Sequence, residues 1–178
     1  MKSKNKFLTK ILSFLMLVVM GFGTMPFSKA NTFYASVAEE HDHSSWQNWG
    51  NEVSEKTGLP SESGDYVLTS DISLSETWIV PEGTTNLCLN GYVINANGGN
   101  FNAIAIPTGA TLDLYDCGTT VHNGYVDSTG LWHLGEGSGT AKTITGGIIT
   151  GGNATTNGGG VNVSGSFNMY GGNIAGNT

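Results

Sequence analysis

Two stretches of this chain, one starting at Ile79 and the other at Ile104, carry the same pattern. Ile79-Val80-Pro81-Glu82-Gly83-Thr84-Thr85-Asn86-Leu87-Cys88-Leu89 reads as an apolar pair, a Pro-x-Gly turn and a Leu-x-Leu strand. Ile104-Ala105-Ile106-Pro107-Thr108-Gly109-Ala110-Thr111-Leu112-Asp113-Leu114 reads the same way, with Leu112 following Leu87 and Leu114 following Leu89 at an offset of 25. The offset recurs where Ile144-Thr145-Gly146-Gly147-Ile148-Ile149 matches Met169-Tyr170-Gly171-Gly172-Asn173-Ile174. Each unit is a set of short strands with period-two alternation, divided by Gly, Pro, Asn and Thr turns. One such unit cannot bury its own apolar row, but stacked units can, because equivalent residues then lie above one another.

A period of this length built from strands predicts an all-β, single-stranded right-handed parallel β-helix with about 25 residues per coil. An antiparallel sandwich and a β-propeller are the alternatives, and the fixed offset of 25, seen in two separate places, tips the balance to the β-helix. Glycine is abundant, 27 of 178 residues, and 11 of these fall from Gly146 onward. Collagen is excluded because the spacing is not every third residue. Disorder is disfavoured because Val161, Val163, Phe167, Met169 and Ile174 sit between the glycines. Those five residues are expected to form the inward row of the last coil. Asn177 matches Gly152 at the same offset, so a turn begins there with no covering segment, and the solenoid is expected to be truncated.

Residues 1–30 read as a signal peptide. MKSKNKFLTK carries four lysines, ILSFLMLVVMGFG supplies the apolar run, and Ser28-Lys29-Ala30 offers a small-residue cleavage site, with Ala38 as the second candidate. The run is short for a membrane anchor. Residues 31–63 lack the repeat and are expected to be a polar leader and N-terminal cap. Trp46 and Trp49, three apart, suit one face of a short helix or turn, and one of them should lie on the first coil. Residues 64–178 are then the β-helix, with an irregular segment at 118–140. Loss of the signal peptide leaves Lys56 and Lys142 against all fourteen acids, a formal charge of −12. That balance excludes nucleic acid and anionic membranes as partners. A neutral glycan, or a host or cell-wall protein, is the expected class of surface ligand. No membrane insertion is expected after signal removal, and no cofactor is called for.

Candidate chemistry is sparse. His41 and His43 would point the same way on an extended strand, which makes them a weak metal pair without a third ligand. Cys88 and Cys117 suggest a disulfide in an exported protein. An offset of 25, however, sets Cys88 beside Asp113 and Cys117 beside Tyr92, out of register by four residues or about 13 Å. No disulfide is therefore expected. Asp113 and Asp116 flank Tyr115 and would face opposite sides of a strand, so they make a poor glycosidase pair. Asp127 and Glu136 lie in the irregular segment. A glycan groove, if the protein has one, should draw on Trp132, Tyr115, Tyr125, Asp127 and Glu136. Gly135-Glu136-Gly137-Ser138-Gly139 lacks the following helix of a phosphate loop, and no catalytic set emerges.

TWIVPEGTTNLCLNGYVI, LYDCGTT, TITGGIITGGN and GGGVNVSGSFNMYGGNIAGNT resemble the large secreted and cell-surface proteins of Gram-positive bacteria that carry right-handed parallel β-helix repeats of the pectin-lyase-like superfamily. The resemblance covers roughly Tyr66 to Thr178. It implies an adhesin or wall-associated stalk, and no catalytic motif of that superfamily's enzymes carries over residue by residue. The sequence thus leads to a non-catalytic β-helix for adhesion or display. The alternative is a carbohydrate-binding or carbohydrate-cleaving module.

Overall fold

The structure is a computed structural model that describes residues 41–50, 59–155 and 157–178. The signal peptide, the start of the leader and Lys56 lie outside the described residues. Among the described residues the chain is all-β, with no helix, and therefore none long and apolar enough to cross a membrane.

Most of the strands form three parallel sheets. After β1 (Gln47–Trp49), the chain runs through β2 (Asp65–Leu68), β3 (Ile72–Ser73) and β4 (Trp78–Ile79). It continues through β5 (Gly83–Cys88), β6 (Val93–Asn95), β7 (Ile104–Ile106) and β8 (Ala110–Tyr115). An excursion follows, made of β9 (Val121–His122), β10 (Gly124–Val126), β11 (Trp132–Leu134), β12 (Thr140–Ala141) and β13 (Ile144–Thr145). The chain ends with β14 (Ile148–Thr150), β15 (Val161–Val163), β16 (Ser166–Met169) and β17 (Asn173–Ile174). The first sheet has the order β1-β2-β5-β8-β16, the second β3-β6-β14-β17 and the third β4-β7-β15. All neighbours in these three sheets are parallel. The excursion is antiparallel, with β10 between β11 and β12, and β9 against β13.

Parallel register places like residues on one face, so each sheet contributes apolar rows to a common core. Tyr66, Leu87, Leu114 and Met169 form one row of the first sheet. Ile72, Ile94, Ile149 and Ile174 form the corresponding row of the second. Trp78, Ile104 and Val161 form that of the third. Leu87, Leu114, Ile94, Ile149 and Ile104 are completely buried. Each such side chain contributes about 1.5–3 kcal/mol by leaving water. The rows reach the last strands in the expected order, since Phe167 lies beside Leu112 and Val163 beside Ile106. Met169, Val163 and Ile174 are nevertheless exposed, because β15, β16 and β17 are each paired on one side only.

Register is where the structure departs from the repeat. The offset of 25 holds between β14 and β17, where Ile148 pairs with Asn173 and Ile149 with Ile174. It fails between β5 and β8, where Leu87 pairs with Leu114 rather than Leu112, and Cys88 with Tyr115 rather than Asp113. Ile144 likewise pairs with His122 and not with Met169. A slip of two residues leaves every side chain on its original face, so the apolar pattern reads equally well in either register.

The corners use left-handed backbone. Asn90 and Gly91 are both at positive φ (49° and 79°), as are Asn97 and Gly98 (54° and 72°). Asparagine tolerates that region and glycine enters it without steric cost. Asp116 fastens the excursion to the first of these corners. Its carboxylate accepts hydrogen bonds from Gly91 N (2.8 Å), Gly118 N (3.2 Å) and Gly147 N (2.7 Å). Trp49 is buried against Trp78, with ring centroids 4.9 Å apart. It belongs to a strand, not to a helical face, because β1 adds to the edge of the first sheet with Trp49 beside Leu68.

On the outer face of the first sheet, Asp65, Asn86, Asp113 and Asn168 fall in one row. Asn86 Nδ2 donates to Asp65 (2.7 Å) and Asn168 Nδ2 to Asp113 (2.7 Å). The alternation of amide and carboxylate keeps like charges from stacking at strand separation. Asp113 is thereby a member of a structural ladder.

Thr85 and Thr150 are the buried polar residues among those described, and Thr85 is the one without a partner. It is fully buried beside Leu112, and its hydroxyl has no hydrogen-bond partner among the described residues. Replacing an unsatisfied buried hydroxyl with a methyl removes a desolvation cost. Thr85→Val is expected to raise stability by about 1 kcal/mol, read as a higher denaturant midpoint. A lower midpoint would mean that the hydroxyl is engaged.

Candidate metal centre

The outer face of the first sheet is partly covered by residues 41–46. His41 lies against Tyr115 and Trp46, with ring centroids 4.9 Å away in each case. His43 packs edge-on to His41 at 4.5 Å. A turn holds this segment, with Asp42 accepting hydrogen bonds from Ser44 N (2.8 Å) and Ser44 Oγ (2.9 Å). Trp46 N donates to His43 O (3.0 Å), and the chain then enters β1.

Beneath this segment lie the two cysteines. Cys88 is the last residue of β5 and points outward, yet it is buried. Cys117 follows β8 by two residues. The observed register puts Cys88 beside Tyr115, and the chain bends at Asp116 to bring Cys117 back over it. The two sulfurs are 3.3 Å apart and both thiols are free. The expectation that they lie out of register is therefore corrected: the two-residue slip removes about half of the separation implied by a fixed offset of 25.

His43 Nε2 lies 3.8 Å from Cys117 Sγ. One donor atom from each of His41, His43, Cys88 and Cys117 falls within 4.8 Å of all the others. A tetrahedral Cys2His2 zinc site with ordinary bond lengths has ligand-to-ligand edges of about 3.3–3.8 Å. The four groups are thus gathered to nearly that size. Two thiolates and two neutral imidazoles would balance a dication, and this donor set suits zinc in preference to the oxygen-seeking ions.

The surroundings bear on each donor. Burial, and then the Cys117 sulfur, pushes the Cys88 thiol up to about 12, against hydrogen bonds from the backbone of Cys117 and Asn90 that favour the thiolate. Partial burial, and then neighbouring His41, lowers the pKa of His43 and favours the neutral imidazole, with Asp42 opposing. Asn90 Oδ1 lies 3.8 Å from Cys117 Sγ, while its Nδ2 donates to Leu68 O (3.2 Å). The histidine pair was visible in the sequence. Its partners were not, because their proximity depends on a strand register that the repeat misassigns.

The groove candidates assemble only in part: Trp132 and Tyr125 line one concavity, which Tyr115, Asp127 and Glu136 do not join. Trp132 is buried against Val93 and Ile148 on the outer side of the second sheet, and its indole N–H donates to Lys142 O (3.0 Å). It anchors the excursion and also lines the concavity it shares with Tyr125. Tyr115 stacks on Tyr170 (4.8 Å, 13°) beneath His41. Tyr125 stacks instead on His133 (4.9 Å, 16°) within the antiparallel sheet. Asp127 bonds to His133 Nε2 (2.8 Å), Thr129 Oγ1 (2.6 Å), Thr129 N (2.8 Å) and Leu131 N (3.1 Å), so it closes its own hairpin rather than meeting Glu136. Glu136 is exposed in the turn after β11.

Comparison with known proteins returns no match to any family model, curated protein or solved structure.

The Thr129 hydroxyl, followed by His133, holds the Asp127 carboxyl well below the usual carboxylate range. A depressed folded pKa supports the hairpin at pH values above the unfolded value of about 3.9. That support declines as the pH falls from there through the folded value. Carbon-13 titration of the Asp127 carboxyl should therefore give a midpoint below that of free aspartate. The hairpin amides of Thr129 and Leu131 should shift with it. A midpoint at or above the free value would contradict the bonding described.

Proposed function

We propose that residues 64–178 form one right-handed parallel β-helix and that the chain is a non-catalytic secreted or cell-surface protein acting in adhesion or display. On this reading it is related to the β-helix repeat proteins of the pectin-lyase-like superfamily. The observation that carries the solenoid is the order in which the chain visits its sheets. It passes first, second, third through β2, β3, β4, then β5, β6, β7, then β8, β14, β15, and finally enters β16 and β17. A chain that winds repeatedly in one sense produces that cyclic order, and the usual crossover preference makes the winding right-handed.

The display reading is supported by the outer face of the first sheet. Its Asp–Asn ladder is a regular, polar, self-paired surface of the kind a stalk presents to water. The glycan reading asked for Trp132, Tyr115 and Tyr125 to converge with acids. Trp132 and Tyr125 do line one concavity, but no acid lines it with them, and Tyr115 belongs to a different sheet. Asp116, the other acid near Tyr115, is occupied by three backbone N–H groups.

A glycan array probed with the purified chain separates the two readings. No retention on any sugar would rule out the carbohydrate module and leave the display scaffold with a protein as its ligand. Retention that disappears in Tyr125→Ala would replace it with a carbohydrate-binding module centred on the hairpin.

A further inference from the structure

We propose that His41, His43, Cys88 and Cys117 bind one Zn²⁺ ion per chain, and that this ion staples the segment preceding β1 to the outer face of the first sheet. The site is built from three stretches distant in sequence. Residues 41–43 supply both imidazoles, the end of β5 supplies one sulfur, and the bend after β8 supplies the other. All four donors lie within 4.8 Å of one another, and the two sulfurs within 3.3 Å. Four protein ligands leave no open position, which is the pattern of a structural rather than a catalytic zinc site.

The chemistry balances. Zn²⁺ displaces one proton from each thiol, the two protons pass to solvent, and the site of two thiolates and two neutral imidazoles is left without net charge. Neutrality matters here because Cys88 is buried and the imidazoles lie among Trp46 and Tyr115. The backbone N–H groups of Cys117 and Asn90, which already bond Cys88, would support its thiolate from outside the ligand set.

The mechanical consequence follows from the topology. β1 is a three-residue edge strand, held on one side by β2. So short an edge strand has few ladder bonds of its own and is prone to fraying. A metal bond at His43, just ahead of β1, would fix the approach of this strand and keep Trp49 seated on Trp78. The reactions open to the same two thiols are metal binding and oxidation to a disulfide, and these exclude one another.

The test uses the full chain, reduced and kept anaerobic. Titration with Co²⁺ should produce thiolate-to-cobalt charge-transfer absorption and the intense visible bands of a tetrahedral site. Both should saturate at one equivalent and vanish on adding Zn²⁺. Cys117→Ser and His43→Ala alter partly exposed residues, so they should retain the β circular dichroism while weakening Zn²⁺ binding by tenfold or more. Limited proteolysis supplies the second readout: Zn²⁺ should protect residues 41–49 in the parent chain but not in His43→Ala. The proposal fails if Co²⁺ gives no tetrahedral spectrum, or if the variants bind like the parent. It also fails if a Cys88–Cys117 disulfide forms in air with equimolar Zn²⁺ present.

Discussion

In the first sheet Leu87 sits beside Leu114, and that pairing decides which residues become neighbours across the strands. Inward, it stacks leucines into a core row. Outward, it sets Cys88 beside Tyr115 and aligns Asn86 with Asp113. In the alternative register, two residues back, the inward leucines would still stack, with Leu87 on Leu112. The outer face would be rearranged: Cys88 would meet Asp113, and Cys117 would lie about 6.6 Å further away along the strand. The core therefore tolerates either register, whereas the outer face distinguishes them.

The outer faces explain why this chain is more than a stack of strands. Two of the three parallel sheets are covered on the outside by chain that does not follow the repeat. Residues 41–46 lie over the first sheet, held through Cys88, Cys117 and Tyr115. The antiparallel excursion covers the second, with Trp132 seated on Val93 and Ile148. Both coverings depend on groups that look functional in a sequence: a histidine pair, cysteines, an aspartate beside a tyrosine, a tryptophan in an irregular loop. In Asp116 and Asp127 the carboxylates are consumed by backbone N–H groups at the base and tip of the excursion. Both carboxylates thereby serve to organise the fold.

The strands, the Asn–Gly corners and the order of apolar residues in the last strands were legible because period-two alternation and turn residues are local signals. The offset of 25 at β14 and β17 was legible because two Gly-Gly turns mark it. The register of β5 on β8 was not, since Leu112 and Leu114 occupy the same face and either satisfies the pattern. The intervening Pro-x-Gly turn adds to the ambiguity: Gly83 N bonds Gly109 O while Gly83 itself pairs with Ala110, both beyond the Thr108 that a fixed offset would require. The offset therefore drifts, and a cluster spanning 41 to 117 cannot be placed by counting. For Trp46 and Trp49 the spacing of three suited a helix or a turn: a turn does precede Trp46 and one indole, Trp49, is seated on the strands, but it lies on a strand that begins just after Trp46.

The most direct test of this arrangement is the backbone proximity of β5 and β8 in solution. Cross-strand nuclear Overhauser contacts from the Leu87 amide and α-proton should centre on Leu114, and those from Cys88 on Tyr115. Contacts centred on Leu112 and Asp113 would restore the fixed offset of 25, separate Cys88 from Cys117 and dismantle the proposed metal centre.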